Sequence, residues 1–207
     1  MSIPATPWRL SPPPRVARQP IWTRERTLFA HELLYRGHDG RPAGVDRWHV
    51  SAQDRATMAV LDALRSGAPY LREGRSFVNV TRSFIVDDLP LPDPHADLVL
   101  EVVETVPADD DVMAGLERLR DRGYAIALDD FAATANQVAM LAFADYVKID
   151  CRELVRHGSA MLELARRDGA TLVAERVSDD ALVERCLSLG FELLQGDALG
   201  AATTRVP

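Results

Sequence analysis

The residues of this chain that could do chemistry are acids, amides and one lysine that interrupt or directly follow apolar segments. A buried charge is costly unless it is paired or bound to a metal ion, so a single such residue usually has a structural role. Several at equivalent places in successive segments point instead to one shared site. The eight residues of this kind are Glu32, Asn79, Glu101, Asp129, Asp130, Lys148, Glu175 and Gln195.

The residue types in this set indicate which metal ion would suit it. Oxygen ligands without histidine or cysteine favour Mg²⁺, Mn²⁺ or Ca²⁺ over zinc. Five carboxylates gathered at one place would repel one another unless a divalent cation lay between them. The pattern therefore predicts a metal-dependent site, which an anionic ligand would enter only when the cation is bound.

The segments that carry these residues alternate between strand-like and helical patterns. Strand-like apolar runs occupy 28–35, 76–80, 97–103, 124–128, 145–149, 171–174 and 191–194. Apolar residues at helical spacing lie within 52–64, 112–119 and 182–189. Gly123, Gly169 and Gly190 each stand where a helix would end and a strand begin. Repeated units of this kind predict an α/β fold with a parallel sheet.

A parallel sheet could form either a barrel or an open doubly wound sheet. No glycine-rich phosphate-binding motif opens a helix in the sequence, which argues against the nucleotide-binding open sheets and favours the barrel. In a parallel barrel the carboxyl ends of the strands meet at one mouth, where catalytic groups lie. The barrel therefore explains why the acids, amides and lysine recur at equivalent places.

Length and charge limit the remaining possibilities. The chain has 207 residues, with 24 Lys and Arg against 31 Asp and Glu, and a formal net charge of −7. An acidic chain is a poor candidate for binding long nucleic acid or an anionic membrane. No apolar run is long enough to span a membrane, and the N-terminus lacks the core of a signal peptide, so we expect a cytoplasmic protein. Clustered prolines predict an irregular arm over 1–15, followed by a single domain over 16–207.

The same residues, taken in order, resemble the motifs of the EAL domain family, and the resemblance extends over about residues 17 to 197. The matching segments are Glu32–Arg36 (the family's ExLxR), Phe77–Asn79, Glu101–Glu104 (ExxE), Leu128–Phe131 (DDF), Val147–Asp150 (KID), Ala174–Glu175 and Gln195–Gly196 (QG). The short spacings resemble the compact variety often found fused to HDOD domains. The resemblance implies a TIM-like (β/α) barrel of EAL type, compact and incomplete at the C-terminus.

The resemblance also implies an activity and its site. EAL domains hydrolyse cyclic di-GMP to linear pGpG with Mg²⁺ or Mn²⁺, and we expect Ca²⁺ to inhibit. The positions that match the family's metal ligands are Glu32, Asn79, Glu101, Asp129 and Asp130. By position, Lys148 would orient or activate the attacking water, and Glu175 would act through a water at a second metal ion. Glu104 resembles the residue that anchors the loop after the Asp pair.

Three further residues are implied in substrate binding. Gln195 would support the site, and Arg36 with Gln19 would contact a phosphate or guanine of cyclic di-GMP. Besides this ligand, the family resemblance leaves room for a second copy of the chain or a regulatory protein as partner.

The sequence departs from active EAL enzymes in the parts around these residues. Residues 130–138 read DFAATANQV and lack both glycines and both serines of the family's DFGxGxSSL. Residues 175–178 read ERVS instead of EGVE, and 195–197 read QGD instead of QGY. Three hypotheses stay open: an active phosphodiesterase, an inactive module that binds cyclic di-GMP or a protein partner, and an unrelated barrel hydrolase such as a glycosidase with a carboxylate pair.

Overall fold

The computed structural model describes residues 15–37, 39–66, 71, 74–87, 89–94 and 97–204, without the side chains of 155–159. The proline-rich arm expected over 1–15 therefore lies, apart from Arg15, outside the described residues and stays a prediction. The expected single domain over 16–207 and the expected incomplete C-terminus also stay predictions.

Within these described ranges nine strands make up one sheet, and the first eight form a closed barrel. The strands are β1 (Arg15–Thr23), β2 (Leu28–Arg36), β3 (Arg75–Val80), β4 (Leu98–Val102), β5 (Ala125–Leu128), β6 (Tyr146–Asp150), β7 (Thr171–Glu175), β8 (Leu193–Gln195) and β9 (Thr203–Thr204). Strands β2 to β8 are parallel and follow chain order around the barrel. Strand β1 closes the ring because it pairs antiparallel with both β2 and β8. The predicted TIM-like barrel is confirmed.

Helices lie between the parallel strands. They are α1 (Val50–Arg65), α2 (Arg82–Val86), α3 (Asp110–Asp121), α4 (Ala135–Met140), α5 (Leu154–Arg166) and α6 (Asp180–Ser188), with 3-10 turns at Val45–Arg47 and Leu141–Phe143. Asp109 and Asp179 cap α3 and α6, each accepting a hydrogen bond of 2.9 Å from a backbone N–H in the first turn. Of the helices in the described ranges, none combines the length and apolar character that crossing a bilayer requires.

The apolar pattern did not reveal strand β1, nor did it reveal β9 and the helices α2, α4 and α5. The sequence of β1, RVARQPIWT, carries two arginines, a glutamine and a proline, so it lacks the clean alternation of a half-buried strand. Proline is unusual inside a sheet because it cannot donate a ladder hydrogen bond. Long-range pairing with β2 and β8 overrides these local preferences.

One layer of apolar side chains fills the interior of the barrel, and each of the eight barrel strands contributes one residue to it. These residues are Ile21, Ala30, Phe77, Val99, Ala127, Tyr146, Val173 and Leu193. A second and larger core lies between the outside of the barrel and the helices. This apolar layer matters for function because it shows which position of each strand faces the interior, and therefore which further side chains of the strand also point inward.

Candidate active site

A second interior layer, here called the polar layer, lies next to the apolar one towards the carboxyl ends of the parallel strands. Side chains in a strand alternate between its two faces, so the residue two positions after each apolar-layer residue also points inward. In β1, which runs the opposite way, the corresponding residue comes two positions before. The polar layer therefore consists of Gln19, Glu32, Asn79, Glu101, Asp129, Lys148, Glu175 and Gln195.

Lys148 lies at the centre of the polar layer, with its side chain 1% exposed. Its Nζ is 2.8 Å from Glu175 Oε1, 3.2 Å from Asp129 Oδ1 and 3.3 Å from Glu32 Oε2, and it also contacts Glu101. Burial alone would lower the pKa of Lys148, but these carboxylates outweigh it and raise the pKa well above its usual value. These contacts favour the ammonium form of Lys148, which donates hydrogen bonds to Glu32 and Asp129.

Amide side chains fix the orientation of Glu32. Asn79 Nδ2 donates to Glu32 Oε1 at 3.2 Å, and Gln195 Nε2 donates to Glu32 Oε2 at 2.6 Å. Gln195 also lies 3.2 Å from Gln19 Oε1 through the same nitrogen. Burial would raise the pKa of Glu32, but Lys148, Gln195 and Asn79 together lower it, so these contacts favour the ionised carboxylate and fix its orientation.

Glu101 and Glu175 have oxygen atoms that the protein leaves unused. In each of these residues Oε1 contacts Lys148, whereas the buried Oε2 has no hydrogen-bond partner within the described part of the chain. Burial raises the pKa of Glu101 well above its usual range, and burial raises that of Glu175 to about 8, in both cases against the opposing effect of Lys148. Oxygen atoms that converge without donors fit a divalent cation.

A second set of acids lies at the rim of the barrel. Glu104, Asp129 and Asp130 each offer a carboxylate oxygen within 4.8 Å of the others. Burial raises the pKa of Asp130, and the neighbouring Asp129 raises it further. Unlike the polar layer, this cluster comes from loops, and Asp130 has a left-handed backbone with φ of 41°. Asp129 belongs to both sets and connects them.

Gln137 holds the rim loop together, and the assignment of site residues from the sequence missed it. Its buried side chain donates to the backbone carbonyls of Asp129 and Asp130, both at 3.1 Å. It accepts from the backbone N–H of Ala132 at 2.9 Å and forms a capping box with Thr134 at the start of α4. The sequence did contain a clue, because Thr-x-x-Gln is a capping-box pattern.

The backbone of the rim contains two further non-glycine residues in the left-handed region. Ala133 and Arg176 both have φ of 55°. Such a conformation costs a side-chain-bearing residue about 1–2 kcal/mol. Of the two alanines after Phe131, it is Ala133 that occupies the strained position, whereas Ala132 does not.

The two acid sets open into one cleft. One part, of about 470 Å³, is lined by Gln19, Glu32 and Gln195, and an adjoining part, of about 590 Å³, by Arg36, Asn79 and Glu104. Leu34, Asp129, Asp130 and Arg176 line both parts. The residues implied in substrate binding thus lie in different halves of the cleft, with Gln19 in one and Arg36 in the other.

Comparison with known proteins identifies a family whose sequence pattern this chain matches. The model of the EAL domain matches residues 70–202. The chain is 31% identical to the cyclic di-GMP phosphodiesterase CdgJ of Vibrio cholerae over 87% of its own length and 42% of that protein, and 31% identical to the uncharacterized protein YuxH of Bacillus subtilis over 87% and 45%. It therefore spans less than half the length of these relatives.

Solved structures share the fold. A standalone EAL protein from Vibrio cholerae O395, bound to c-di-GMP, superposes with a TM-score of 0.73 at 20% identity, covering 93% of both chains. The YkuI protein of Bacillus subtilis, an EAL domain protein in complex with c-di-GMP and calcium, gives a TM-score of 0.71 at 19% identity, covering 93% of this chain and 55% of that one. At these identities the likeness shows the barrel alone.

Proposed function

The chain belongs to the EAL domain family, and we propose that it hydrolyses cyclic di-GMP to linear pGpG with Mg²⁺ or Mn²⁺ held against the polar layer. The cation would supply Lewis-acid catalysis and neutralise charge on the phosphodiester. Ca²⁺ is proposed to allow ligand binding without efficient turnover. The reaction would take place inside the cell, where the nucleotide is made.

One observation carries this proposal: four carboxylates surround a single buried ammonium group, and Oε2 of Glu101 and Oε2 of Glu175 have no polar partner within the described residues. Lys148 compensates only part of this negative charge. A divalent cation would compensate more of it and use the free oxygens of Glu101 and Glu175. An anionic nucleotide would then be attracted to a cleft that would otherwise repel it.

The chain's own residues have separate tasks in this proposal. Lys148 stays protonated among its carboxylates, so it orients the attacking water by donating a hydrogen bond and does not remove its proton. Glu175 Oε2, which has no hydrogen-bond partner within the described residues, is the acceptor available for that proton. Arg36, at the far side of the cleft, is placed to bind a phosphate of the ligand.

The altered rim favours a second candidate, a module that binds cyclic di-GMP or a protein partner without turning the nucleotide over. Arg176 lines the cleft and approaches Asp130, and the loop around Ala133 is held by a capping box. Both features change the surroundings of the rim acids while leaving the polar layer complete. The two candidates differ in turnover and agree in ligand binding.

The experiment is a turnover assay of the purified chain with cyclic di-GMP in Mn²⁺ and in Mg²⁺, beside a binding titration in Ca²⁺. We expect linear pGpG from the unmodified chain and a loss of about 100-fold or more in Glu32→Gln, which removes an ionised ligand. Glu25→Gln, at an exposed glutamate in the turn between β1 and β2, is the matched control and should retain full activity.

The outcomes separate the candidates. Tight binding in Ca²⁺ without product in Mn²⁺ would favour the non-hydrolysing module. Neither binding nor product would contradict the phosphodiesterase and the nucleotide-binding module, and would leave a barrel that contacts a protein partner. Activity that survives Glu32→Gln would show that the cation does not depend on Glu32.

A further inference from the structure

Arg176 stands at the rim in a conformation that suits glycine. It directly follows Glu175 at the end of β7, and its φ of 55° lies in the left-handed region. A bulky residue stays in such a conformation only where surrounding contacts hold it there. The side chain is 56% exposed, so burial of apolar surface is not the main contact that holds it.

The contacts of Arg176 are electrostatic and join two strands. Its Nε lies 3.0 Å from Asp150 Oδ2, at the end of β6, and its Nη2 lies 3.7 Å from Asp130 Oδ2, just after β5. Asp150 is already paired with Arg152, whose Nε lies 3.0 and 2.9 Å from its two oxygens. Two guanidinium groups therefore contact one buried carboxylate, and Arg176 lies between Asp150 and Asp130, so that its charge acts on both.

Each acid set of the cleft thus has its own cation. Lys148 lies among the carboxylates of the polar layer, and Arg176 lies beside the rim cluster of Glu104, Asp129 and Asp130. The two clusters differ in what the protein leaves unpaired. The polar layer has buried oxygens without donors in Glu101 and Glu175, whereas Asp130 already faces a guanidinium group.

We propose that Arg176 is the built-in counter-ion of the rim cluster and competes there with a divalent cation. The guanidinium of Arg176 lies 3.7 Å from Asp130, so it would repel a divalent cation bound to that carboxylate. Such a cation must either displace the guanidinium or bind despite the repulsion. The chain then binds one divalent cation tightly, at the polar layer, and takes a second at the rim only at a concentration at least about 10-fold higher. This inference rests on the cation site of the proposed function and adds its stoichiometry.

The test is Mn²⁺ binding to the full chain, measured by titration calorimetry and by electron paramagnetic resonance, which distinguishes isolated from coupled Mn²⁺ ions. The unmodified chain should bind one Mn²⁺ tightly and give an uncoupled spectrum. Arg176→Gly removes the charge and relieves the backbone, and should bind a second Mn²⁺ at least about 10-fold more tightly than the unmodified chain does. The spectrum should then show coupling between the two ions.

Two more variants isolate the charge. Arg176→Gln keeps the length of the side chain without its charge and should behave as Arg176→Gly does. Arg152→Ala removes the other guanidinium group from Asp150 without touching Asp130, so it should keep the one-ion stoichiometry. The two together distinguish loss of charge beside Asp130 from loss of pairing at Asp150.

Two results would overturn the inference alone: two Mn²⁺ ions of similar affinity in the unmodified chain, or a single tight site in both Arg176 variants. Absence of Mn²⁺ binding in every variant would overturn the proposed cation site, and the inference with it. Because that third result differs from the first two, the failure of the stoichiometry and the failure of the proposed function are distinguishable.

Discussion

The polar layer and the rim of this barrel use similar side chains and are built in different ways. In the polar layer seven of the eight side chains come from strands and the eighth, Asp129, directly follows one, and Glu101 and Lys148 at its centre are almost fully buried. At the rim, the acids and Arg176 come from loops and are partly exposed, and three backbones have positive φ. Strand geometry determines where the side chains of the polar layer lie, whereas the path of the loops determines where the rim side chains lie.

This difference explains where the chain keeps the motifs of its family and where it departs from them. A polar-layer residue has a fixed place two positions from an apolar neighbour, so a change of type leaves buried carboxylates or amides without partners. A loop residue can be replaced if another group supplies its contacts. Gln137 does so for the backbone around Asp130, and Arg176 supplies charge beside that acid.

The largest effect should follow from Lys148→Met, which removes the one cation at the centre of the polar layer. Four carboxylates, three of them buried, then repel one another, and we expect the free energy of unfolding in EDTA to fall by about 3–5 kcal/mol. Mn²⁺ should restore part of it. Cyclic di-GMP turnover should fall about 10²- to 10⁴-fold.

Urea unfolding with and without Mn²⁺ measures the first two expectations. Arg167→Ala, which removes an exposed cation paired with Asp168 outside the layer, is the control and should change stability by less than about 1 kcal/mol. If the Lys148→Met chain is as stable in EDTA as the unmodified one, the polar layer does not depend on its central cation, and the contrast drawn between the two regions is wrong.

A smaller and more local effect is expected from Gln137→Ala. The buried side chain makes hydrogen bonds to the carbonyls of 129 and 130 and to the N–H of Ala132, so its loss should cost about 1–3 kcal/mol. Amide hydrogen exchange at Ala132 should become faster, while exchange at Val147 in β6 should stay as slow as before. Asn136→Ala, at the neighbouring exposed position, should leave exchange at Ala132 unaltered.

Unchanged exchange at Ala132 in Gln137→Ala would mean that contacts other than those of Gln137 hold the loop in place.

The smallest effect concerns two adjacent alanines and should differ in sign between them. Ala133→Gly removes a left-handed strain and should stabilise the chain by about 1 kcal/mol. Ala132→Gly, at a residue outside the positive-φ region, should destabilise by about 0.5–1 kcal/mol because glycine gains freedom in the unfolded state. Denaturant midpoints measure both, and equal signs would contradict the assigned loop path.

The sequence pattern allowed the barrel and seven of the eight polar-layer residues to be predicted because both follow from short-range regularities, whereas Gln19 was named from the family resemblance and Asp130, grouped with the seven, lies at the rim. An apolar residue followed two positions later by a polar one, as in Phe77 and Asn79 or Val99 and Glu101, is visible without a structure. The roles of Gln137 and Arg176 were not predictable in this way. Each depends on a partner from another strand or loop, and no local pattern says that the end of β7 faces Asp130. Strand β1 was missed for a related reason, since its partners are far apart in sequence.

The closure of the barrel by β1 also bears on how the chain matures on the ribosome. Strand β1 can form a hairpin with β2 as soon as both have been synthesised, but its other edge pairs with β8, where Ile21 lies opposite Gln195. Until β8 emerges, that edge stays open to other nascent chains. Gln19 and Gln195, which meet in the polar layer, come from the first and last strands of the ring. The polar layer is therefore complete only after β8 has been synthesised, and a shorter piece of the barrel lacks a complete polar layer.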